Sequence, residues 1–137
     1  MRNHLVSAAG TLAAVLAMAA LSGCLVGTET MGTGDATRVW KGGKLSKDYR
    51  VGHERVWAAA SGTIVDLKLS VESEQHDALV GRIKARRADD IVVRVDVDNA
   101  GEGRTRVVIW VGAIGTDRDK TCAIAVMDGI DRKLGLR

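Results

Sequence analysis

The segment Ile91-Val92-Val93-Arg94-Val95-Asp96-Val97-Asp98 alternates without a break. In an extended chain Ile91, Val93, Val95 and Val97 fall on one side, and Val92, Arg94, Asp96 and Asp98 on the other. A period of two with one apolar and one charged side marks a strand with one face on a core and the other in water. Downstream, Asn99-Ala100-Gly101-Glu102-Gly103 is a turn by composition. Arg104 to Gly112 then returns, with Thr105, Val107, Ile109 and Val111 opposing Arg106, Val108 and Trp110. Upstream, Ala88-Asp89-Asp90 closes a tight turn onto Ala78 to Arg87, and Leu69 to Gln75 comes before it. These four segments predict a meander of antiparallel strands joined by short connections.

On both sides of the meander the period changes. Val56, Trp57, Ala60, Ile64 and Leu67 follow helical spacing, with Glu54 in the first turn, where it favours the helix dipole. Gly62 weakens this helix by about 1 kcal/mol relative to Ala, so packing must hold it. After the meander, Thr116 and Asp119 form a capping-box pattern that opens a second helix. Ala123, Val126, Met127, Ile130 and Leu134 make its apolar stripe, and Arg132, Lys133 and Arg137 suit its negative end. Nearer the start, Thr37 to Lys41 and Lys44 to Val51 flank Gly42-Gly43, a hairpin signal. In its second arm Leu45, Lys47, Tyr49 and Val51 share one face. The expected fold is α+β: an antiparallel sheet in the order hairpin, helix, four-strand meander, helix, with two helices packed on one face. Whether the first hairpin joins the main sheet is left open by these patterns.

With 137 residues, 46% of them hydrophobic and 27% charged, the chain has the size and apolar content of one folded domain, here 37–137. Lys and Arg number 20 against 17 Asp and Glu, and a net charge of +3 is too modest for a nucleic-acid binder. The two cysteines, Cys24 and Cys122, form neither a zinc knuckle nor a disulfide framework.

Arg2 and His4 precede an uncharged, Ala- and Leu-rich run from Leu5 to Gly23, the pattern of a secretory signal peptide over 1–23. Ser7, Gly10 and Thr11 dilute it as a spanning helix, which needs about 20 strongly apolar residues. It ends in Leu21-Ser22-Gly23-Cys24, which resembles the lipobox of bacterial lipoproteins. By that resemblance Leu21, Ser22 and Gly23 are read by the signal peptidase, and Cys24 accepts the lipid, palmitate among its chains. Residues 24–36, rich in Gly and Thr, then read as the lipidated cysteine and a flexible tether. Leu25 after the cysteine, rather than Asp, resembles lipoproteins sent to the outer membrane, facing the periplasm. Cys122, left alone among Ala123, Ile124, Ala125 and Val126, is expected to be buried, with pairing to another chain as the other reading.

No nucleophile elbow, phosphate loop or zinc-protease motif occurs, and the chain is not expected to be an enzyme. His53-Glu54 opens the first helix and His76-Asp77 falls in a turn. Zinc needs three or four ligands and the spacing suggests no third, so both histidines read as solvated; no metal or cofactor is expected. The surface that suggests binding is basic. Arg82, Lys84 and Arg86 share one strand face, and in a meander Arg94, Arg106 and Trp110 join them. Anionic lipid, peptidoglycan carboxylates or an acidic envelope protein would suit such a face. A plain solvated face, its cations paired with Asp96 and Glu72, is the alternative.

The mature part is similar to a family of small bacterial lipoproteins of uncharacterised function. The likeness rests on Trp40 to Leu45, Val56-Trp57-Ala58-Ala59, Gly81-Arg82-Ile83, and Ile109-Trp110-Val111-Gly112-Ala113-Ile114-Gly115-Thr116-Asp117. It implies a single α+β domain and an envelope location, and it carries no catalytic residue. The leading expectation is a lipid-anchored, non-catalytic binding or accessory module. A small-ligand carrier with a cleft between sheet and helices, and an envelope hydrolase, are the other two readings.

Overall fold

Nine elements follow one another in the computed structural model, which describes residues 29–31 and 38–136. They are β1 (Glu29–Met31), β2 (Arg38–Lys41), β3 (Lys44–Tyr49), α1 (His53–Asp66), β4 (Ser70–His76), β5 (Val80–Arg86), β6 (Val92–Gly101), β7 (Arg104–Val111) and α2 (Asp117–Lys133). The expected signal peptide, the Leu21-Ser22-Gly23-Cys24 box and most of the expected tether lie outside the described residues. Within that tether stretch, Glu29–Met31 pairs with β2.

The strands form one antiparallel sheet in the order β1-β2-β3-β7-β6-β5-β4. The meander β4 to β7 is as expected, and the hairpin does join it: β3 lies against β7 from Lys44↔Trp110 to Tyr49↔Thr105. Gly42 and Gly43, both at positive φ (58° and 75°), link Lys41 to Lys44, a two-residue reversal whose twist matches the strands. At the end of β6 pairing outruns the expected turn. Asn99 still faces Thr105 and Gly101 faces Arg104 around a bulge, so Gly101-Glu102-Gly103 makes the reversal. Asn99 Oδ1 accepts from Gly101 N at 2.9 Å and stabilises the bulge.

Alternation sorts the sheet into two faces. Val93, Val95 and Val97 of β6, and Val107, Ile109 and Val111 of β7, are completely buried. So are Leu45 of β3 and Ala85 of β5. Both helices cover this face. Val56, Ala60 and Ile64 of α1 meet Ala123, Val126, Met127 and Ile130 of α2 in the same core. After β3, α1 crosses the sheet to reach β4 at the far edge, and α2 returns from β7 over β3. The capping box closes as the sequence predicts. Thr116 Oγ1 accepts from Asp119 N at 3.2 Å, and Asp119 Oδ2 accepts from Thr116 N at 3.1 Å. No helix among the described residues is long and apolar enough to cross a membrane.

Two of the motif segments meet in space. A Cβ at Gly81 would lie 2.3 Å from Cε3 of Trp57, closer than any real contact, so the indole packs against the β5 backbone and only glycine admits it.

Candidate functional site

Among the described residues nothing covers the face of the sheet away from the helices, and it gathers the expected basic residues. Register places Arg82 beside Asp96, Lys84 beside Arg94, and Arg94 beside Trp110, with Lys44 on the far side of Trp110. Arg106 stands between Asp98 and Asp48. Part of this charge is already neutralised. Glu72 accepts from Arg86 Nε at 2.6 Å and lies 3.2 Å from Lys84 Nζ, and these hydrogen bonds hold its carboxyl below its ordinary value. Asp48 accepts from Arg106 at 2.7 and 3.1 Å and is lowered in the same way. Arg86 also reaches Asp90 at 3.3 Å.

Arg82 and Arg94 differ. Neither has a hydrogen bond or ion pair among the described residues; Arg82 lies across from Asp96 and Arg94 two residues before it on β6, and the Asp96 carboxyl is pushed up, by burial first and by Asp98 as well, in spite of them. One oxygen each of Asp96 and Asp98 has no hydrogen-bond partner. Lys44 Nζ sits 5.2 Å from the centroid of the Trp110 ring, a cation–π contact. Two shallow depressions mark the face. One of about 680 Å³ is lined by Val39, Lys41, Lys44, Val108 and Trp110, and one of about 330 Å³ by Gln75, Arg82, Lys84, Arg94 and Asp96. This surface is a charged platform with an indole set in it.

The histidines depart from expectation. His53, read as a solvated helix-start residue, is buried, its side chain 5% exposed, and its Nε2 lies 2.9 Å from the Val97 carbonyl oxygen. A carbonyl only accepts, so Nε2 carries the proton; in the neutral ring Nδ1 is then an acceptor, and it has no hydrogen-bond partner. His76, read as a turn residue, ends β4 and points to the helix side. Its ring lies between Trp57 (centroids 4.5 Å apart, planes 6° apart) and His53 (5.5 Å, 24°). Glu54 Oε1 lies 3.3 Å from His76 Nε2 and 4.0 Å from His53 Nδ1. One ligand atom from each of His53, Glu54 and His76 falls within 4.8 Å of the others. The spacing that suggested no third ligand hid this cluster, because the α1 start and the β4 end meet only after the meander has folded. The turn is made by Asp77, whose Oδ1 accepts from Leu79 N and Val80 N at 2.8 and 2.9 Å.

A second buried polar group joins α2 to the hairpin. Asp131, 4% exposed, accepts from Tyr49 Oη at 2.6 Å, from Lys47 Nζ at 3.0 Å, and from Arg38, which also pairs with Asp128 at 2.6 Å. Burial by itself would push the Asp131 carboxyl up, but the Tyr49, Arg38 and Lys47 hydrogen bonds outweigh it and hold it below its ordinary value. Burial, with the Asp131 hydrogen bond, pushes the Tyr49 phenol up. The signal for this cluster was Lys47 on the apolar face of its strand. Cys122 is half-buried at the margin of the core, beside the Arg87 guanidinium.

The fold and its sites define a two-layer α+β protein with one cation-rich sheet face that no described element covers. The chain belongs to a family described as a protein of unknown function, DUF3568, whose model matches residues 7–133. This agrees with the sequence resemblance at the level of an uncharacterised family. No curated protein matches the sequence.

Proposed function

We propose that the chain is a lipid-anchored protein of the bacterial cell envelope, and that its domain is a non-catalytic binding module. Its uncovered sheet face receives an acidic protein partner. The observation that carries this reading is Trp110 set among Lys44 and Arg94, with Arg82 close by and neither arginine held in an ion pair among the described residues. Trp and Arg are enriched where interface energy concentrates, and cations without fixed partners lose no ion pair when a carboxylate arrives. The depressions are broad and open, which suits a protein surface better than the enclosed pocket of a small-ligand carrier. The anchor is Cys24, supported by the lipobox and by the uncharged run before it. Leu25 supports delivery to the outer membrane, with the domain facing the periplasm.

Two measurements test this. Radiolabelled palmitate should enter the wild type and not Cys24→Ala; equal labelling of both would remove the anchor. Co-purification in mild detergent should retain a stoichiometric acidic protein through gel filtration, lost in Arg82→Glu/Arg94→Glu and in Trp110→Ala. A clean monomer from the wild type, or a partner retained by both variants, would reject the face.

A further inference from the structure

We propose that His53, Glu54 and His76 form a binding site for a divalent transition-metal ion of the zinc type. The donors are two imidazole nitrogens and a carboxylate, the set such ions prefer. Geometry already favours it. The hydrogen bond from His53 Nε2–H to the Val97 carbonyl leaves Nδ1 with its lone pair free, and metal-binding histidines are commonly oriented in this way through their other nitrogen. That Nδ1 is buried without a hydrogen-bond partner among the described residues, on the side where Glu54 and His76 stand. A buried acceptor left unmade is unfavourable, and a cation at this point would satisfy it. The three donor atoms lie within 4.8 Å of one another, so small rotations bring them around one ion. Glu54, with its side chain 73% exposed, is free to move inward. His76 is held on its other face by Trp57, which Gly81 admits.

The ion has a structural task at this place. Every residue of edge strand β4 is exposed, and the strand touches α1 through Ser61 Oγ to Glu74 at 3.0 Å and through the His76 ring. An ion shared by His76 with His53 and Glu54 ties the end of β4 to the start of α1. Three protein donors leave a further position for water or for a ligand atom brought by a partner.

The test is zinc titration of the full-length protein in mild detergent, followed by calorimetry and by thermal unfolding. One equivalent of Zn²⁺ should bind, raise the unfolding midpoint, and change the emission of Trp57, which stacks on His76. His76→Asn and Glu54→Gln, both at accessible positions, should keep the wild-type circular dichroism and weaken zinc at least about tenfold. Mg²⁺, which prefers oxygen ligands, should not compete. Absence of stoichiometric zinc binding, or an affinity unchanged in His76→Asn, overturns the site.

Discussion

Two glycines lie within the described helices, and the structure assigns opposite signs to their replacement by alanine. In a helix interior Gly→Ala ordinarily stabilises by about 1 kcal/mol, because Gly has more backbone freedom to lose. At Gly129 of α2 a Cβ would stand 2.4 Å from Thr63 Cγ2 and 3.1 Å from Thr63 Oγ1, on the facing helix α1. Gly129 therefore lies directly against the buried Thr63 side chain, and the added methyl must push the two apart. Overpacking of this kind costs about 1–3 kcal/mol, which exceeds the propensity gain, so Gly129→Ala should destabilise by up to about 2 kcal/mol. For a domain of this size that lowers the melting midpoint by roughly 4–8 °C per kcal/mol. Thr63→Ala removes both close atoms and leaves Cβ at 3.3 Å. In that background Gly129→Ala should become neutral or stabilising, a coupling of about 1–3 kcal/mol. At Gly62 the nearest atom is Lys133 Cε at 3.2 Å, the far end of a flexible side chain, so Gly62→Ala should stabilise by up to about 1 kcal/mol. Urea unfolding followed by circular dichroism measures all four variants. A Gly129→Ala protein more stable than wild type, or equal effects of that substitution with and without Thr63, would refute the close approach.

The remaining predictions concern charge and core. Asp131→Asn removes the carboxylate that neutralises Lys47 and Arg38, and by chemical denaturation it should cost about 3–5 kcal/mol. Lys47→Met should cost less, since Asp131 keeps Arg38 and Tyr49; the reverse order would disprove this account of the cluster. Because the folded value of Asp131 is lowered, its contribution is complete above the unfolded carboxylate value, about 3.9. It fades as pH falls through the folded value, so the wild type should lose stability on acidification faster than Asp131→Asn. Asp96 has the opposite sign. Its folded value is raised, so its charge opposes folding at neutral pH, and Asp96→Asn should stabilise at pH 7 by up to about 1 kcal/mol. That gain should vanish below the unfolded value, and a loss of stability at pH 7 would contradict it. Gly81→Ala should destabilise and disturb the emission of Trp57, whose ring occupies the space of the missing Cβ; unchanged fluorescence would count against that packing.

Relations between near neighbours were legible in the sequence. The period of two from Ile91 to Asp98, the Gly-Gly hairpin, and Thr116 with Asp119 all act between near neighbours, and each appears as predicted, except that β6 runs on three residues past Asp98 to Gly101. The two-faced character of the strands also follows from alternation, so the basic outer face was legible in Arg82, Lys84, Arg94 and Arg106. Strand order was not, because nothing local tells β3 to pair with β7 rather than stand apart; shared burial of Leu45 with Ile109 decides it. Which cations lack partners depended on where Glu72 and Asp48 came to rest across the sheet. The histidine cluster and the Asp131 network depended on tertiary structure altogether. Each joins residues on different elements far apart in the chain, and their contacts exist only once the helices have docked on one face of the sheet.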